Sequence, residues 1–355
     1  MMKKWKEQRV NIILGSFLGI LILLMLLATI CDHSKVSYDH LQKVEPDSVE
    51  KLADGGSVVE LTIDKSVKKC TTVAFCTPHQ YVDVYVDGRD VYSLKETAGR
   101  WGHTTGHVWN FVLLPVNTTH LTVKLSPCYP ETANALLTYY VGNGREICMG
   151  LMRQSLPTFI ISFIILIVGI YMLGYWLLVC KSEDVDATLL YLGLFSVILG
   201  LWTANETDFA KLLLVNQHAT TFAAYILLMA MPIPFVLFVR SFLDFDDKNI
   251  WRVFCGFSMV MCVISCVLHF TGIWELRQSL ILTHIVIVGL LIYLMRAIVF
   301  KFVKRQVGRR LRTCIAALIL VILASIADLI NYYKVGGNTG IWGRISFLIF
   351  IVILG

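Results

Sequence analysis

Apolar residues fall in long blocks along this chain, and one long polar stretch separates the first block from the rest. Residues 11–30, "NIILGSFLGILILLMLLATI", are apolar almost throughout and follow the basic segment "MMKKWKEQRV". Seven more blocks follow, at about 156–180, 188–205, 220–243, 252–271, 279–300, 313–333 and 341–355. A helix needs about 20 apolar residues to cross the hydrocarbon core, so these read as membrane spans. The first run is longer than the 7–15 residues of a signal peptide's apolar region and ends in "CDHSK" without a small-residue cleavage site, which predicts an uncleaved anchor.

Between them, residues 32–150 change period. "SVVELTI" (57–63), "YVDVYVDG" (81–88), "HVWNFVLLP" (107–115) and "LTVKLS" (121–126) alternate or run β-branched and aromatic, separated by Gly, Pro and Asn turns. Asp87-Gly88 predicts a tight hairpin turn. The acidic lead-in, 39–54, reads as helical or irregular. Short strands at this spacing predict a small antiparallel β-sandwich. The predicted fold is therefore a membrane α-helical protein, one N-terminal span plus a seven-helix bundle, with a small all-β sandwich domain. The boundaries are 1–31 for the N-terminus and first span, 32–150 for the sandwich and 151–355 for the seven spans.

Composition agrees: 56% hydrophobic and 16% charged, against about 45–50% and 25% in soluble domains. The placement of charge sets orientation. With the N-terminus inside, the cytoplasmic connections hold Lys181, then Arg240, Lys248 and Arg252, then the six basic residues of "KFVKRQVGRRLR" (301–312). The opposite loops hold only Lys211, Arg277, Lys334 and Arg344. The positive-inside rule then puts residues 32–150 on the extracytoplasmic side of an inner (plasma) membrane. The last block, with about fifteen apolar residues, runs toward the cytosol and stops short of a full span. This predicts a continuation into a cytoplasmic segment; the alternative is a short helix whose end is covered by its neighbours. Basic residues at span ends, not interleaved with aromatics on a soluble face, exclude nucleic-acid binding. The 301–312 cluster reads as a topology anchor or a contact for anionic membrane lipid.

Several segments resemble bacterial seven-transmembrane receptors with diverse intracellular signalling modules. They are "WTANETDFAKLL" (202–213), "MPIPFVLFVRSFL" (231–243), "ADLINYY" (327–333) and "GRISFLIFIVILG" (343–355), with "VDVYVDGRDVYS" and "GHVWNFVLLP" in the β region. Many relatives of this layout carry a GGDEF diguanylate cyclase domain after the last span. The resemblance implies a sensor controlling cyclic di-GMP synthesis, working as a homodimer. No GGDEF string occurs here, so any catalytic domain would lie outside these residues.

No P-loop, GxSxG, HExxH or CxxC pair is present, and neither a catalytic residue, a cofactor nor a metal site is predicted. "HTTGH" (103–107) sets two histidines four apart in a Gly-rich loop, where spacing fixes no geometry and zinc needs more ligands. Five cysteines in the polar region (Cys31, Cys70, Cys76, Cys128 and Cys148) match no zinc spacing and define no pairing. Trp101, His103, His107 and Trp109 form a candidate patch for an unidentified small-molecule or carbohydrate ligand, with aromatics stacking on a flat face. The alternative is ordinary sandwich core, with Trp109 and Phe111 pointing inward. Polar residues near the outer ends of spans (Glu206, Asp208, His269, His284 and Asp328) define a candidate shared pocket, since burying them is costly. Of these, Glu206, His284 and Asp328 are retained as ligand candidates, while Asp208 reads as a helix-end cap. Pro232 and Pro234 predict a mid-span kink or hinge. Transporter and stand-alone scaffold readings remain beside the sensor reading. A transporter predicts repeat symmetry between span groups and discontinuous helices at the midplane; a scaffold predicts a bound partner at the basic loop.

Overall fold

A computed structural model describes residues 41–63, 72–95, 102–133, 137–180, 187–214, 217–244, 249–303, 309–335 and 341–354. The first anchor and Trp101 lie outside the described residues.

Among the described residues nine strands form two antiparallel sheets. They are β1 (Gln42–Val44), β2 (Ser48–Lys51), β3 (Ser57–Thr62), β4 (Thr72–Pro78), β5 (Gln80–Val86), β6 (Arg89–Leu94), β7 (His107–Leu113), β8 (His120–Pro127) and β9 (Tyr139–Gly142). One sheet has the order β1-β9-β4-β7 and the other β2-β3-β8-β5-β6. The alternation read from the sequence sets the inner face: Val82, Val84 and Val86 of β5 point inward, and Val84 pairs with Val123 of β8. Across the sandwich, Val73, Phe75, Val112, Tyr139 and Val141 complete the core. Asp87 and Gly88 both take positive φ (50° and 76°), as the β5–β6 hairpin requires.

The lead-in is corrected. Within 39–54 lie β1 and β2, paired with β9 and β3. Both are edge strands of mostly exposed polar residues, paired by backbone bonds and a few polar side-chain contacts such as Ser48 with Glu60, so no apolar alternation marks them. Strand β4 was hidden for the opposite reason. Thr72 to Phe75 are buried on both faces, which erases period two.

The helices are α1 (Gly144–Val179), α2 (Thr188–Asn205), α3 (Asp208–Leu213), α4 (Gln217–Ala230), α5 (Pro232–Leu243), α6 (Ile250–Phe270), α7 (Leu280–Val303), α8 (Arg309–Val335) and α9 (Ile341–Leu354). Among the described residues six helical stretches are long and apolar enough to cross a membrane, α4 and α5 counting as one. Met231 interrupts that pair: Pro232 opens α5 and lacks the N–H that would bond back to α4. A phenylalanine cluster from α2 (Phe195), α5 (Phe235, Phe238) and α9 (Phe347, Phe350) binds the bundle centre. Helices α1 and α2 pack so closely that a Cβ on Gly200 would lie 2.7 Å from the Leu166 backbone nitrogen.

Helix α1 starts about twelve residues before its apolar block. It follows β9 after a single residue, Asn143, whose side chain accepts from Arg145 N and caps the helix. The sandwich and the first of these spans are thus nearly continuous backbone.

Candidate functional site

The structure brings its polar chemistry together where the β1-β9-β4-β7 sheet meets the helix ends. Trp109 and Phe111 do not point into the sandwich, which corrects the core alternative. Their strand neighbours Asn110 and Val112 do. Asn110 is 0% exposed and its amide nitrogen reaches Thr77 Oγ1 at 2.9 Å, while Tyr92 donates to its carbonyl. The Trp109 face joins Ala74 and Tyr140 in an apolar seat for Ile147 and Leu151 of α1 and Leu212 of α3. From this seat Trp109 Nε1 donates to Asp208 Oδ1 at 3.1 Å. One turn on, buried Lys211 lies 3.7 Å from Glu206.

A second contact is made by the loop "GHTTG", 102–106. Gly102 and Gly106 both hold positive φ (98° and 76°). At Gly106 a Cβ would sit 2.4 Å from Thr221 Oγ1 of α4, so only glycine lets the loop reach this helix. The His103 backbone N–H donates to Glu275 Oε1 at 2.6 Å, and the Tyr129 hydroxyl donates to the other Glu275 oxygen. Glu275 and Arg277 belong to the connection between α6 and α7. Arg277 Nη1 lies 3.3 Å from His79 Nε2 and its guanidinium sits 5.8 Å from the Tyr129 ring. His79 Nδ1 is 2.6 Å from Thr104 Oγ1, and its ring meets His107 edge-on at 5.1 Å.

Two voids lie at this junction. A cleft of about 270 Å³ is lined by His103, Thr104, Cys128, Tyr129, Glu275 and Gln278 among others. A chamber of about 10 Å³, room for one water, is bounded by Thr104, Tyr129, Tyr225, His269, Glu275 and Arg277 among others. Both therefore have one wall from the sandwich and one from the helices.

Burial sets the electrostatics. It holds His79 and His107 well below the ordinary histidine value; for His79 the neighbouring His107, Arg277 and Lys211 add to this, and for His107 Lys211 and then Arg277 do. The Cys76 thiol is pushed up to about 12 by burial, with nearby Lys211 lowering and Asp208 raising it. Burial, then Glu275, raises the Tyr129 hydroxyl. A protonated thiol and neutral imidazoles form a contact site, not an activated nucleophile.

The predicted residues divide. His103 lines the cleft, His107 meets His79 edge-on, and Trp109 bonds to Asp208. Glu206 pairs with Lys211, and His269 bounds the chamber. Asp328 accepts from Gly343 N at 2.7 Å, which caps the first turn of α9. His284 is half-buried on α7. Neither void is lined by Glu206, His284 or Asp328. Among the described residues no group of three or more His, Cys, Asp or Glu has metal-holding geometry. Sequence reasoning missed His79, Tyr129, Glu275 and Arg277. One signal was available for the last two: charged residues in a short, otherwise apolar connection on the side poor in basic residues.

A family model for 7TM diverse intracellular signalling matches residues 157–355. The helix side of the junction lies within that match and the sandwich side outside it. No curated protein matches the chain significantly.

Proposed function

The chain belongs to the 7TM diverse intracellular signalling family, and from that premise we propose how its sensing and output are arranged. It is a multi-pass membrane sensor that relays signals to an intracellular module. In our reading the β-sandwich lies outside the plasma membrane, as the basic residues of the opposite loops argue. An extracytoplasmic small-molecule or carbohydrate ligand biases two receptor states by differential affinity. The output is a diguanylate cyclase producing cyclic di-GMP, acting in a homodimer, as the resemblance of 202–213, 231–243 and 327–333 implies.

The observation that carries this reading is the junction itself. The sandwich is fastened to α3, to α4 and to the α6–α7 connection by separate contacts, and α1 runs on from β9. A change in the sandwich therefore has direct handles on several spans.

The test is cyclic di-GMP in cells expressing the complete gene product at matched abundance. The reading expects a level above that of the empty vector, changed at least severalfold by Asp208→Asn with Trp109→Phe. A level equal to the vector control removes the cyclase assignment. A raised level that the junction variants leave unchanged removes the route through the junction.

A further inference from the structure

The stereochemistry at His79 gives the junction a second property. Arg277 carries only donors. Its Nη1 lies 3.3 Å from His79 Nε2, so that nitrogen presents its lone pair. The ring proton is then on Nδ1, facing Thr104 Oγ1 at 2.6 Å. Adding a proton to Nε2 turns an acceptor into a donor aimed at a guanidinium. His79 is 1% exposed, so water cannot take over the lost contact without the two walls separating.

Titratable and charged groups face that proton from several elements, with Tyr225 of α4 on the chamber wall and His284 of α7 within electrostatic reach of Arg277. The strand β7 supplies His107 at 5.1 Å. The segment after β8 supplies Tyr129, with rings 5.7 Å apart. Helix α3 supplies Lys211, and the α6–α7 connection supplies Arg277, the two cations that act on both imidazoles. The acids nearby are engaged elsewhere: Glu275 by His103 N–H and the Tyr129 hydroxyl, Asp208 by Trp109, Glu206 by Lys211. His269 of α6 stands on the adjoining chamber. Among the described residues no carboxylate forms an ion pair with either imidazole.

We propose that the junction is a proton-operated latch, in which neutral His79, with the His107 ring edge-on against it, accepts from Arg277 and holds the sandwich on the helix ends, and protonation of this pair of imidazoles releases it, making acid a signal that this receptor reads. This deepens the sensor reading above and rests on it for the consequence of release.

The sign follows from linkage. Both histidines titrate below their ordinary value of 6.5 when docked. The released state therefore binds more protons. Docking is at full strength above about pH 6.5 and weakens as pH falls from there toward the docked values, by up to about tenfold per pH unit for each ring.

The test uses the full chain in lipid nanodiscs with spin labels on unnatural residues at Asp90 of β6 and Gly256 of α6, both exposed. The latch gives one distance population at pH 7.5. A second, longer population grows between pH 6.5 and pH 5, a range in which carboxylates stay mostly ionised. His79→Gln keeps a carbonyl for Arg277 but cannot titrate; combined with His107→Gln it should keep the docked distance at pH 5. Wild-type distances identical at pH 7.5 and pH 5 overturn the latch. So does acid opening that persists in the double-Gln variant while its pH 7.5 distance matches wild type. Should that variant not reach the wild-type distance at pH 7.5, Arg277→Gln decides: with the cation gone, protonating His79 opposes docking less, so the change in the docked fraction between pH 7.5 and pH 5 should shrink, and a change as large as wild type's overturns the proposal. No output domain enters this measurement. A failed latch leaves the sensor reading standing, and an absent cyclic di-GMP response leaves the latch standing.

Discussion

Trp109 of β7 and Asp208 of α3 stand 99 positions apart in the chain and are joined by one hydrogen bond of 3.1 Å, indole to carboxylate. It ties the sheet's outer face to the helix that follows α2. Hydrogen bonds to charged groups contribute about 1.5–3 kcal/mol. Trp109→Phe should keep the apolar seat with Ile147 and Leu151 and lose only this bond. The expected outcome is a coupling energy in that range from a Trp109→Phe, Asp208→Asn double-mutant cycle on thermal unfolding. Additive effects would mean that the bond holds nothing.

Gly106 is where the loop touches α4. Alanine there meets both a positive φ and Thr221 Oγ1 at 2.4 Å. A non-glycine residue in such backbone costs about 1–3 kcal/mol before any clash. Gly106→Ala should loosen the junction, read as faster hydrogen exchange at 102–106 and in the first turns of α4. Gly106→Ala with Thr221→Ala should recover part of the loss, because the second change removes the clash and leaves the backbone strain.

Half-buried Cys76 tests how the sheet face turned toward the helices is covered. Its thiol is pushed up to about 12, so at pH 8 roughly one part in ten thousand is thiolate. Iodoacetamide at pH 8 should leave Cys76 unmodified in the folded protein and alkylate it after denaturation, as read by peptide mass spectrometry. Rapid native labelling would place this face in solvent.

Phe75 tests how far the sandwich core supports the junction. It is fully buried and packs on Tyr139 with ring centroids 5.2 Å apart. Phe75→Ala should cost about 3–5 kcal/mol. The β signal in circular dichroism should melt at lower temperature, and exchange in the helix ends at Thr207–Leu214, which the sheet holds through Trp109, should rise with it.

What could be read from the chain was what its own periodicity encodes. Among the described residues, apolar runs located six helical stretches long enough to cross a membrane, and alternation located β3, β5 and β8, because one face of each meets the core. Edge strands β1 and β2 carry no such mark, and β4 is buried on both faces. The same ambiguity misplaced Trp109 and Phe111. Strand β7 alternates between two covered faces, one in the sandwich and one on α1, and an alternating pattern does not say which is which. The site was legible only as fragments. His103, His107 and Trp109 stood out locally, yet their partners lie far along the chain: Glu275 is 172 positions from His103, and Arg277 is 198 from His79. Such pairs exist only once the two parts are docked.

Sandwich and bundle form one coupled unit through this junction. Coupling free energy is reciprocal, so the most direct measurement is hydrogen exchange on two variants of the full chain, one altered on each side. Trp109→Ala, made in the sandwich, should raise exchange at Thr207–Leu214 and 271–279 in the helix ends. Glu275→Ala, made in the helix connection, should raise exchange at 102–106 in the sandwich. If each substitution instead changes exchange only on its own side, the two parts are merely adjacent, and the account is contradicted.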